Sequence, residues 1–264
     1  MTAPLDRAEF EAIEVTRGDF VRVRLNRPEV RNAIDQRMVD ELHAVCAEVE
    51  RDPRVVVISG SPPAVGADGR ERKGVFASGA DIRQLRERRR DDALAGINSG
   101  IFERINALPM PVIAALDGYC LGGGAELAYA ADLRIGTPDV RIGNPEPGLG
   151  ILAAAGASWR LKELIGEARA LEILLAGRVV DGETALAWGL ITRLVPSAEL
   201  EAAAAEMAAA ICAQDPLAIK LTKEVFRAPR EAHPLADRLA QATLFESPAK
   251  FERMSAFLER KSTR

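Results

Sequence analysis

Two glutamates and a run of glycines could carry chemistry in this chain. In Tyr119-Cys120-Leu121-Gly122-Gly123-Gly124-Ala125-Glu126, three glycines stand directly before a helical pattern. Amides at a helix N-terminus have no intrahelical acceptor, and the dipole behind them favours an anion or a developing oxyanion. Glu126 falls in the first turn of that helix. Its carboxylate could act beside those amides, or it could only offset the dipole. The glycines could equally serve close helix–strand packing. The run is not a dinucleotide fingerprint, because Leu127 stands where G-x-G-x-x-G needs glycine or alanine. A second segment, Phe76-Ala77-Ser78-Gly79-Ala80-Asp81-Ile82, has a glycine able to turn the Ala80 amide into a cleft. Asp81 there could simply cap the following helix. In a third, Gly143-Asn144-Pro145-Glu146-Pro147-Gly148-Leu149-Gly150, prolines on both sides restrain the backbone around Glu146. A solvated acid on a rigid loop is the plainer reading of that lone glutamate.

These residues must be held by elements that the hydrophobic pattern reveals. Phe20 to Leu25 alternates apolar and charged residues, as a half-buried strand does. Asn32 reads as an N-cap, and Ile34, Met38, Leu42, Val45 and Val49 mark one face of the helix after it. Val55 to Ile58 and Val112 to Leu116 are wholly apolar runs, which predict strands covered on both faces. Ser61 to Gly74, rich in Pro, Gly and charge, reads as an exposed loop. Val75 to Ile82 leads into a charged helix over Arg83 to Asp92, and a second helix runs through Ile101 to Leu108. The helix opened by the glycines ends near Ala131, followed by a strand over Leu133 to Ile135. Helices are predicted over Ser158 to Leu164, Glu167 to Leu175 and Glu183 to Trp188, with a strand over Leu190 to Val195. Only helical patterns follow Pro196. The alternation predicts an α/β fold with a helical appendage, divided as residues 1–195 and 196–264. No fixed-period sequence repeat is visible.

Bulk composition narrows the function further. Hydrophobic residues make up 48% of the 264 positions, enough for a sizeable core. A net charge of −4, from 35 basic and 39 acidic residues, argues against a general nucleic-acid binder. Cys46, Cys120 and Cys212 are widely spaced and lack C-x-x-C, so neither zinc nor a disulfide framework is expected and a reducing cytoplasm fits. Met1 to Glu14 carries acids and no apolar core, so a signal peptide is not expected. No apolar run suits a membrane span. His43 and His233 are the only histidines, and both suit structural roles; G-x-S-x-G and H-E-x-x-H do not occur.

Taken together and in this order, the three motifs resemble the enoyl-CoA hydratase/isomerase (crotonase) family. Leu25-Asn26-Arg27-Pro28 with Asn32-Ala33 belongs to the same pattern. So do Met110-Pro111-Val112-Ile113-Ala114-Ala115, Ala131-Asp132-Leu133-Arg134-Ile135 and Ala187-Trp188-Gly189-Leu190-Ile191. The likeness runs from about Phe20 through Ser255-Ala256-Phe257-Leu258.

The resemblance implies a crotonase-like spiral of ββα turns with C-terminal helices that join subunits into trimers or hexamers. It implies a thioester carbonyl held by the amides of Ala80 and Gly123, and a CoA-binding strand at Ala80, Asp81, Ile82 and Arg83. Arg31, Phe257 and Lys261 are further substrate-binding positions, the last two in a neighbour's site. Glu126 would be the base toward water and Glu146 the donor to C2, in the hydration of a 2-enoyl-CoA of the kind met in fatty-acid β-oxidation. No cofactor is implied beyond the coenzyme A of the substrate. Two alternatives remain: a 3,2-enoyl-CoA isomerase using Glu146 alone, and an RNA-binding member using the basic segment 83–90, of which Arg88 and Arg89 are the centre. Ala153 and Ala154 depart from the family's usual proline and glycine, and the Ser61 to Gly74 loop is longer than usual.

Overall fold

The computed structural model describes residues 10–65, 69 and 71–262. Six strands form the first sheet: β1 (Ile13–Arg17), β2 (Val21–Leu25), β3 (Val56–Ser59), β7 (Val112–Leu116), β9 (Leu133–Gly136) and β12 (Arg193–Leu194), in that spatial order. All neighbours from β2 onward are parallel, and β1 is an antiparallel edge. A second sheet has the order β11 (Val179–Asp181), β10 (Arg141–Gly143), β8 (Tyr119–Leu121) and β6 (Val75–Ala77). There β10, β8 and β6 run parallel. The pairs β3 and β6, β7 and β8, and β9 and β10 each give one strand to each sheet before the chain enters helices. That is the spiral of ββα turns the resemblance implied.

The apolar runs are buried on both faces because each strand serves two cores. Along β7, Val112, Ala114 and Leu116 face one cluster while Ile113 and Ala115 face the other. Val56 and Ile58 divide from Val55 and Val57 in the same way. This is the period of two in a strand that has no solvent face. The first cluster is closed by α1 (Gln36–Arg51), α4 (Ile97–Asn106), α5 (Gly123–Ala130), α6 (Ala157–Ile165) and α7 (Glu167–Ala176). The second is closed by α9 (Leu200–Cys212), after the short α8 (Gly182–Ala187). Leu200, Met207 and Ile211 pack against the chain's own first sheet.

Beyond α9 lie α10 (Pro216–Arg227), α11 (Leu235–Phe245) and α12 (Pro248–Ser262). Lys223 Nζ ties α10 to Asp132 at 2.8 Å and Arg227 Nη2 does so at 2.6 Å. Asp132 also accepts from the Val112 amide at 2.7 Å, so the clamp reaches the start of β7. Phe226, Leu239, Phe251 and Phe257 are among the apolar side chains these three helices leave exposed.

Several local readings change. Asp35, not Asn32, caps α1, accepting from the Met38 amide at 2.9 Å. Asn32 is wholly buried in a left-handed conformation, where its side-chain amide donates to the carbonyls of Val75 and Phe76 at 3.0 Å each. It stitches the turn after β2 to β6. The charged helix over Arg83 to Asp92 is two helices, α2 (Ile82–Glu87) and α3 (Arg90–Ala95), separated by extended backbone at Arg88 and Arg89. The basic residues therefore share no continuous helical face. The Ser61 to Gly74 loop contains a small hairpin, β4 (Ala64–Val65) with β5 (Glu71–Arg72); residues 66–68 and 70 lie outside the described ones. Among the described residues no helix is long and apolar enough to cross a membrane.

Candidate active site

Three parallel neighbours, β6, β8 and β10, end at one edge of the second sheet, and each of the three sequence motifs leaves from one of those ends. Parallel strands bring their carboxyl ends together, so segments far apart in sequence meet there. After β6, the Gly79 carbonyl accepts from the Ile34 amide at 2.8 Å and the Asp81 amide donates to the Ile34 carbonyl at 2.9 Å. The Gly79 carbonyl and the Ala80 N–H belong to one trans peptide, so the N–H points the opposite way, out of this bridge. After β8, the Gly122 amide donates to the Gly143 carbonyl at 2.9 Å, fastening the turn into α5 to the end of β10.

The glycines have separate jobs. Gly122 has φ 53° and ψ −126°, a conformation that only glycine adopts readily. A Cβ there would also lie 3.0 Å from Glu146 Oε1. Gly123 is the first residue of α5, so its N–H has no helical acceptor. Ala80 N lies 3.4 Å from where a Gly123 Cβ would stand, which sets the two bare amides side by side. At Gly124 a Cβ would fall 2.4 Å from the Ala77 carbonyl oxygen, so close helix–strand packing also holds as a reading of the run.

Glu126 and Glu146 are both buried, at 3% and 8% exposure, so neither is a solvated surface acid. Glu126 Oε1 accepts from the amides of Ala155 at 2.7 Å and Ala157 at 3.2 Å. The loop containing Ala153 and Ala154 thus reaches Glu126 through main-chain groups. Burial pushes the Glu126 pKa up to about 7; the two amides pull against this, and the nearby Glu146 charge adds to it. Burial also raises the Glu146 carboxyl, against a long contact of 3.5 Å from Asn144 Nδ2 to Oε1. Among the described residues Glu146 Oε2 is buried with no hydrogen-bond partner. Asn144 Oδ1 in turn accepts from the Tyr129 hydroxyl at 3.1 Å. The edge therefore holds two bare backbone amides and two buried carboxyls, both raised above the ordinary carboxylate range by desolvation.

The enoyl-CoA hydratase/isomerase family model matches residues 16–264. A Mycobacterium bovis protein named "Probable enoyl-CoA hydratase echA8" is 32% identical over 260 residues, spanning 96% of this chain and 97% of that protein. The short-chain-enoyl-CoA hydratase of Clostridium acetobutylicum is 35% identical over 212 residues, 78% of this chain and 77% of its own. The crystal structure of enoyl-CoA hydratase from Bacillus anthracis superposes with a TM-score of 0.86 at 28% identity, covering 95% of this chain and 97% of that one.

The chain belongs to the enoyl-CoA hydratase/isomerase family.

Among the other positions that the resemblance to this family assigned, Arg31 lies beside the Ala80 turn. Its carbonyl accepts from the Ser78 amide at 3.0 Å, and its guanidinium lies 5.8 Å from the Tyr119 ring centroid. Asp81 spends its carboxylate on capping α2, accepting from the amides of Arg83 at 3.0 Å and Gln84 at 3.3 Å. Ile82 and Arg83 are exposed on the first turn of α2. Phe257 is 55% exposed on α12, and the Lys261 side chain lies outside the described residues. Sequence reasoning passed over Asn144 and Tyr129, which orient Glu146. Asn144 stood in the quoted motif, but only its burial distinguishes it. Asn98 and Arg88 also reach this edge, and no spacing marks them.

Proposed function

We propose that this family member hydrates 2-enoyl-CoA thioesters to 3-hydroxyacyl-CoA, as a lyase that needs no cofactor beyond the coenzyme A of its substrate. The observation that carries this reading is the meeting of two bare amides and two buried carboxylates at one sheet edge. The thioester oxygen accepts from Ala80 and Gly123. Glu126 takes a proton from water as the oxygen bonds to C3, and the C2–C3 π electrons move onto the thioester oxygen. Glu146 then gives its proton to C2 as that enolate collapses. Glu126 ends protonated and Glu146 ionised, and exchange with solvent restores them. The resemblance to the family assigns this division of labour. The two amides from which Glu126 Oε1 accepts support it, by favouring the ionised base against the burial that raises its pKa to about 7. Losing one preset donor typically costs about 3–4 kcal/mol of transition-state stabilisation.

The test is a panel of enoyl-CoA thioesters assayed for hydration and isomerisation with Glu126→Gln and Glu146→Gln. Each change should lower hydration roughly 10²- to 10⁴-fold, and the double change by less than the product. The unpartnered Glu146 oxygen favours one second reading, 3,2-enoyl-CoA isomerisation through Glu146 alone. In that case Glu126→Gln keeps isomerase turnover and Glu146→Gln loses it. A Glu126→Gln enzyme with intact hydration would refute the two-carboxylate mechanism.

The apolar side chains exposed on α10 to α12 support assembly into trimers or hexamers, with Phe257 and Lys261 at a neighbour's site. A monomeric mass by light scattering would refute it.

A further inference from the structure

The side chain of Asn98 reaches the same spot as the two bare amides. It lies in the first turn of α4, and its Nδ2 is 3.4 Å from where a Gly123 Cβ would stand, the distance at which Ala80 N also lies. Its Oδ1 accepts from Arg88 Nη1 at 3.2 Å. Arg88 reaches that position because the chain is extended between α2 and α3, which turns this one arginine of the basic run inward. A guanidinium can only donate, so it fixes which way the Asn98 amide faces: oxygen to Arg88, NH₂ to the Ala80–Gly123 pair. Among the described residues that NH₂ has no protein acceptor. Three nitrogen donors of different origin thus lie around one point: a strand-end amide, a helix-start amide and a side-chain amide whose face is set by an arginine.

We propose that Asn98 is a third donor to the thioester oxygen, oriented by Arg88 as a positioning residue. This rests on the enoyl-CoA thioester reading of the site. As negative charge builds on that oxygen, the Asn98 bond strengthens with the other two, so it acts on turnover more than on binding. A hydrogen bond to a charged acceptor is worth more than a neutral one.

The test uses two substitutions and two readouts. Asn98→Leu keeps size and removes the donor; Arg88→Met keeps the donor and frees its orientation. Steady-state hydration gives kcat and KM. The second readout is binding of acetoacetyl-CoA, whose enolate absorbs in the near ultraviolet and measures oxyanion stabilisation without turnover. Asn98→Leu should lower kcat about 10- to 100-fold with little change in KM, and lower the bound enolate fraction in parallel. Arg88→Met should shift both in the same direction by less. A parent-like enolate fraction in Asn98→Leu overturns the proposal, including the case where only KM for particular acyl groups rises. A lowered fraction in Asn98→Leu with a parent-like one in Arg88→Met overturns the role of Arg88. Should the hydratase reading itself fail, the parent enzyme will bind acetoacetyl-CoA yet hydrate nothing, and the enolate comparison still decides whether Asn98 is a donor.

Discussion

The two sheets are built from the same repeating unit but are made of different material. Strands of the first sheet run to five residues, and its central strands β3 and β7 are packed on both faces and buried at every position. Strands of the second are three residues each, and Tyr119 at the start of β8 is 46% exposed. All the proposed chemistry hangs from the second. A three-residue strand contributes little burial of its own; it is held by pairing and by α5, every residue of which is buried. The first sheet supplies the free energy that lets such short strands stay in register, and the second uses their ends to place amides and carboxylates.

That division can be tested by substitutions on each side. The largest effect on stability should come from the first sheet. Ile113 is fully buried between β7 and α9, and Ile113→Ala should cost about 2–5 kcal/mol. Urea unfolding measures this, while turnover per folded molecule should stay near the parent value. A large fall in turnover would mean the sheets are not separable in this way.

Next in size is the cost of keeping Glu126 at the second sheet's edge. Its carboxyl is raised from 4.5 to about 7, so between those values the folded state holds more protons than the unfolded one. Stability must therefore fall as pH rises through that window, by roughly 3 kcal/mol if this group acts alone. Glu126→Gln should remove that slope and be more stable than the parent at pH 8, with hydration lowered roughly 10²- to 10⁴-fold. Because the proposed base must be ionised, hydration should rise with pH through about 7. A pH-independent stability difference between the two proteins would contradict the buried, ionisable state of Glu126.

Gly124→Ala should cost about 1–3 kcal/mol by overpacking, since the new methyl meets Ala77 main chain and side chain at 2.4 and 2.8 Å. Unlike Ile113→Ala, it should also lower turnover, because displacing α5 moves the Gly123 amide. Thermal melting and kcat measured on one preparation separate the two effects. At the bottom of the scale, Lys73→Ala breaks an exposed ion pair with Asp139 beyond the hairpin. It should change stability by less than about 0.5 kcal/mol and leave activity alone.

The same contrast governs what could be read in advance. β2, β3, β7 and β9 were legible because a strand covered on both faces, or alternating cleanly, leaves a signal several residues long. The helix boundaries of α5, α6 and α7 came within one or two residues of their expected positions, set by glycines and by acids at helix starts. β8, β10 and β11 went unread: three residues are too few for any period to show. The spiral repeat was equally invisible in residue types, since each turn fills its place with a different sequence.

Glycines before a helix and prolines around a carboxylate are local devices that point to Glu126, Glu146 and the turns at Ala80 and Gly123. Local pattern left a solvated acid as the plainer reading of Glu146, and the roles of these residues came from the resemblance to the family. Their convergence could not be derived from local pattern. Ala80, Gly123 and Glu146 meet because β6, β8 and β10 are parallel neighbours, which is a property of strand order. The same holds for Asn32, which looked like a cap and is a buried bridge, and for Leu200 on α9, whose apolar face found the chain's own sheet. Sequence determines which groups are able to donate, accept or pack, since those are properties of single residues and their nearest neighbours. Which of them share a cleft, and which are desolvated enough for a carboxyl to titrate near 7, depends on groups tens of residues away and is decided only when the sheets form.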